Sequence, residues 1–80
     1  MTDQLYRSYI YDLGTLLKQK AKDAKLGKEA AFDTNDADYK LGYLMAFHEV
    51  ISLMQQQADS FGIERKVIGL EDIEPEIDLL

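Results

Sequence analysis

His48 is the only histidine of this chain, and it stands beside Glu49 and four residues before Ser52. A His-Glu pair on a helix can open a zinc-protease motif, but that chemistry needs a second imidazole one turn further on, so that both meet one metal. Position 52 is serine. Ser52 in turn lacks the glycine-flanked elbow and the oxyanion donors that a serine nucleophile requires. His48 therefore reads as a structural or interfacial residue.

The run Asp33-Thr34-Asn35-Asp36-Ala37-Asp38 gathers the oxygens that a hard cation such as calcium prefers. Its spacing does not fit a calcium loop. With Asp33 as first ligand, the turn glycine would be Asp38 and the twelfth-position glutamate would be Leu44. The same residue types satisfy free N–H groups at a helix start, so capping of a following helix is the expected role. Lys18, Lys22 and Lys25, within the cluster that runs from Lys18 to Lys28, could contact phosphates. No aromatic residue interleaves them to stack on bases, and lysines near a helix C-terminus are stabilised by the dipole. Cysteine is absent, which removes thiol catalysis, disulfides and thiolate metal sites. The expectation is a protein with no catalytic, cofactor-binding or metal-binding residues.

These side chains must be carried by very little structure. Eighty residues form one domain, 1–80, that buries only about 60–65% of its unfolded surface. A domain of this size without disulfides or a metal needs well-packed helices or a partner subunit. Nine Lys plus Arg against fifteen Asp plus Glu leave a formal charge of -6. The charge is polarised, with lysines at 18–28 and only acids in the segment from Glu71 to Asp78. No signal-like opening and no apolar run of about 20 residues is present, so the expected location is cytoplasmic, without a membrane span.

Apolar residues from Leu5 to Ala24 recur at three- and four-residue steps, predicting a helix over about 3–26 that ends at Gly27. A loop over about 27–37 precedes a second helix over about 38–61, which should close at Gly62-Ile63 in a Schellman turn. Two helices of similar length joined by a short loop pack antiparallel. Gly14 and Gly42 inside these helices suggest close approach, with Gly14 facing Ala46 and Phe47. The segment 62–80 combines Pro75 and Gly69 with apolar residues of no sustained period, predicting an extended strap with a helical turn near Glu71 to Ile73. The fold class expected is all-α, an antiparallel helical hairpin with a C-terminal strap, forming a homodimer.

The second helix carries two adjacent apolar stripes, more than one neighbouring helix can cover. Phe47, Val50, Met54 and Phe61 on the surplus stripe are the expected dimer contact. Gln55, Gln56 and Gln57 point at three successive angles, which places one of them near an interface, although exposed helix formers explain them as well.

The stretch Glu49-Val50-Ile51-Ser52-Leu53-Met54-Gln55-Gln56-Gln57-Ala58, with Phe61-Gly62-Ile63 and the ending from Asp72 to Leu80, resembles small uncharacterised proteins of bacterial and prophage type. The resemblance spans about half the chain and implies a bacterial or phage origin; it transfers no functional residue. Charge, shape and missing chemistry together predict a non-enzymatic protein–protein interaction module, in a sharper form an inhibitor or adaptor. Tyr39, Tyr43, Glu71, Glu74 and Asp78 would form its partner surface, facing a basic protein. The alternative is a small nucleic-acid-binding regulator using Lys18, Lys22 and Lys25.

Overall fold

The computed structural model describes residues 2–30 and 35–80. Helix α1 spans Thr2–Ala30 and helix α2 spans Ala37–Ser60, followed by a 3-10 turn at Arg65–Ile68 and the short helix α3 at Pro75–Asp78. No strand occurs among the described residues. The two long helices are antiparallel: Ile10 lies with Met54 and Gln57 around one groove, and Gly27 lies beside the Lys40 side chain near the other end. Helix α1 continues through Gly27 to Ala30, so this glycine does not end it. Asp33 and Thr34 of the acidic run lie outside the described residues. Asp36 occupies the N-cap position of α2 in an αR conformation, without a side-chain cap hydrogen bond.

The end of α2 follows the sequence expectation. Ile63 N–H donates to Ala58 O at 2.8 Å and Gly62 N–H to Asp59 O at 3.1 Å, the paired bonds of a Schellman turn, with Gly62 at φ +69°. The same pairing recurs after the 3-10 turn. Leu70 N–H bonds Arg65 O, Gly69 N–H bonds Lys66 O, and Gly69 takes φ +73°. Two left-handed glycines thus fold the strap back along the hairpin. The helical turn expected near Glu71 to Ile73 falls instead at Pro75–Asp78, where proline occupies the first helical position and its missing N–H costs nothing.

The core is asymmetric in its sources. Helix α1 supplies Ala21 and Ala24; α2 supplies Leu44, Ile51 and Ala58; the strap supplies Ile68, Leu70, Ile73 and Leu79. Small residues on α1 let its backbone approach closely. A Cβ at Gly14 would fall on the carbonyl oxygen of Ile68, so this glycine admits the strap backbone and not Ala46 or Phe47. Gly69 is seated reciprocally, since a Cβ there would come within 2.8 Å of Tyr11 O and Thr15 Oγ1. Gly42 has open space around it, so close packing does not account for it.

Candidate interaction surfaces

Gln55 organises the strap side of the hairpin. Its amide Nε2 donates to Leu70 O at 3.0 Å and to Ile73 O at 2.8 Å, and the residue is buried. A buried amide that satisfies two strap carbonyls fixes the strap's position along α2, because any slip leaves those carbonyls without donors. Gln56 and Gln57 are exposed. Of the triplet, one residue is structural and two face solvent.

Ion pairs fasten the same side. Lys18 Nζ reaches Asp72 Oδ1 at 2.6 Å, and Arg65 forms a two-point contact with Asp59, with Glu74 at 3.7 Å. The hydrogen bond from Lys18 holds the Asp72 carboxyl below its ordinary pKa, and the Arg65 hydrogen bond does the same for Asp59. His48 lies against α3: its Nε2 is 3.5 Å from Glu76 Oε1 and makes no hydrogen bond, although the ring is largely buried. Among the described residues, no group of three His, Cys, Asp or Glu side chains is placed to hold a metal ion. No helix among them is long and apolar enough to cross a membrane.

The acidic partner surface expected from sequence divides when placed on this fold. Glu71 is exposed; Glu74 faces Arg65; Asp78 Oδ2 accepts the Glu74 N–H at 2.8 Å and so holds the start of α3. Tyr39 and Tyr43 do not join them. At about 100° per residue, both tyrosines project from the side of α2 turned away from Gln55 and His48, which face the strap. Of the lysines, Lys18 is engaged by Asp72, Lys25 is half-buried, and Lys22 is exposed while adding to the positive potential at Asp72.

The side away from the strap carries the second apolar stripe. Phe61 is 77% exposed, Tyr39 72%, Tyr43 48% and Val50 42%, while Phe47 and Met54 are half-buried against the core. Tyr39 stacks on Tyr43 with ring centroids 6.3 Å apart, and Tyr43 meets Phe47 edge-on at 5.2 Å. These contacts hold the rings in a row along α2. From α1, Leu5, Tyr9 and Leu16 are also exposed. The molecule measures 49 × 21 × 16 Å, and 16 Å is little more than one helix of about 10–12 Å diameter. The hairpin is therefore a single layer of helices, with the strap on one face and apolar side chains in solvent on the other.

A groove at the open end, lined by Ile10, Met54, Phe61, Ile63 and Ile68, extends this surface between the helices and encloses about 230 Å³. Sequence reasoning identified Phe61 and Met54 but missed Ile10 and Ile68, which belong to different elements and meet only once the strap folds back. Comparison with protein-family models, curated proteins and solved structures finds no match to this chain, so a functional reading rests on its own surfaces.

Proposed function

We propose that this chain is a non-enzymatic protein–protein interaction module, acting in its narrower form as a small inhibitor or adaptor of bacterial or phage origin. The observation that carries this reading is the row of aromatic side chains on α2, held in contact with one another yet open to solvent. Contiguous apolar surface rich in Tyr and Phe is the composition of a protein interface core, and a single-layer domain gains stability when that surface is covered. The strap supports the same reading by occupying the opposite face, where its Leu70 and Ile73 carbonyls accept from the Gln55 side chain. Recognition then falls to the stripe and not to the acidic tail.

Nucleic-acid binding through Lys18, Lys22 and Lys25 has less support, since Asp72 already neutralises Lys18. Covalent capture from a bacterial lysate, with photo-crosslinkers at Tyr43 and, separately, at Glu71, tests the assignment. Adducts are expected at Tyr43 and to be lost in a Phe61→Ala variant. Adducts only at Glu71 would return the interface to the tail, and tight salt-sensitive binding of DNA or RNA by the parent would favour the regulator.

A further inference from the structure

The residue types of the stripe on the exposed face of α2 bear on its occupant. Its positions along α2 are Tyr39, Tyr43, Ala46, Val50, Met54, Gln57 and Phe61, separated by steps of 4, 3, 4, 4, 3 and 4. That order reads the same in both directions about Val50. Any α-helix offers such steps about a central residue; an isologous two-fold contact further requires that the residue types at paired positions fit one another. We propose that a second copy of this chain covers the stripe, its α2 antiparallel to the first and the two-fold axis passing beside Val50. This rests on the interaction-module reading and names its partner.

The residue types match across that axis. Tyr39 would meet the partner's Phe61, an aromatic pair at each end of the contact. Ala46 would meet the partner's Met54, small against large, as interdigitating helices require. Tyr43 would meet the partner's Gln57, so the polar tips of the stripe fall opposite one another and can hydrogen-bond. At the centre, Val50 meets the partner's Val50, both presently exposed. None of the seven α2 positions is charged; on the α1 part of the face, Asp12, Lys20 and Asp23 share the helical row of Leu5, Tyr9 and Leu16, so two chains of formal charge -6 meet without like charges along α2 alone. A basic partner finds no carboxylate in this stripe, which separates the proposal from electrostatic capture.

The available area is adequate. With Tyr9 at 66% exposure beside Tyr39, Tyr43 and Phe61, four rings leave about 400–650 Å² in solvent per protomer, taking about 150–250 Å² for a whole aromatic residue. Leu5, Leu16 and Val50 add to it, bringing the face toward the ~800 Å² per partner of a standard interface. Leu5, Tyr9 and Leu16 lie by helical spacing on the same side of the hairpin, so the face-to-face pair would be two helical layers thick with both straps outside.

The chain has no cysteine, which makes disulfide trapping selective. Single variants Tyr43→Cys and Gln57→Cys would be oxidised alone and as an equimolar mixture. The mixture is expected to give a Tyr43→Cys/Gln57→Cys heterodimer, with little homodimer from either protein alone. Homodimers from each alone, without the mixed species, would show parallel pairing and overturn the geometry. Sedimentation of the parent at tens of micromolar should give twice the 9.1 kDa chain mass. Val50→Glu should weaken association by about 100-fold or more, because it places two carboxylates together at the axis, while circular dichroism stays helical. A parent that remains monomeric overturns the second copy. If Tyr43 nevertheless crosslinks a lysate protein through the stripe, the module reading survives; if it does not, both fall.

Discussion

The two faces of this hairpin solve the same problem differently. On one face, the strap brings backbone carbonyls and apolar side chains to α2, and Gln55 donates to two of those carbonyls. On the other face, α2 presents rings that touch each other and solvent. The described residues cover one side of the two-helix layer and leave Tyr39, Tyr43, Val50 and Phe61 exposed on the other. The strap face is specified by directional bonds and close backbone contact, whereas the open face is specified by side-chain spacing alone. The first belongs to folding; the second is the face that the proposed association would cover.

Substitutions that remove the strap's directional contacts should have the largest effects. Gln55→Met keeps the volume but leaves Leu70 O and Ile73 O without their donor, and a loss of about 2–4 kcal/mol is expected in urea unfolding, from ~1–3 kcal/mol per unsatisfied buried group. A loss below about 0.5 kcal/mol would mean that the strap is held by its apolar side chains alone. Gly14→Ala comes next. Alanine would raise helix propensity by about 1 kcal/mol, but its methyl meets the Ile68 carbonyl, so net destabilisation of about 1–3 kcal/mol is expected. Gly42→Ala supplies the contrast: with open space around it, the thermal midpoint should rise by the equivalent of about 0.5–1 kcal/mol. Two glycine-to-alanine changes of opposite sign would separate strap contact from helix propensity.

Smaller effects belong to the ion pairs. Asp72→Asn should cost less than about 1 kcal/mol, since its carboxylate is largely exposed and screened. The pH dependence has a defined sign. Asp72 and Asp59 are held below their ordinary values, by Lys18 and Arg65 respectively, so their contributions are complete above the unfolded carboxyl pKa of about 3.9. They are lost as pH falls through the lower folded-state values. Melts in that acid range should show the decline, and Asp72→Asn should reduce it.

The parts of this design that depend on local pattern are legible in the sequence. The helical steps and the Gly62-Ile63 ending each follow from residues close together in the chain. The second stripe was legible too, and its exposed members stand where periodicity puts them. Gln55 was legible in principle: Leu44, His48, Ile51, Gln55 and Ala58 form one 4-3-4-3 row, so a glutamine there must be buried and bonded. What could not be read was where the strap docks. Gly14 signals a close approach, but its partner is a backbone carbonyl more than fifty residues away, and no periodicity links Gly14 to Ile68. Gly27 misled in the opposite sense, since a glycine permits a helix end without enforcing one.

Hydroxyl-radical footprinting of the intact chain at nanomolar and at high micromolar concentration compares the two faces in one experiment. Leu70, Ile73 and Leu79 should be protected at both concentrations, because their cover lies within the chain. Tyr39, Tyr43, Met54 and Phe61 should be more reactive in the dilute protein and become protected together in the concentrated one. Equal reactivity of that stripe at both concentrations, or exposure of the strap leucines in the dilute sample, would contradict the division of the hairpin into a face that folds and a face that associates.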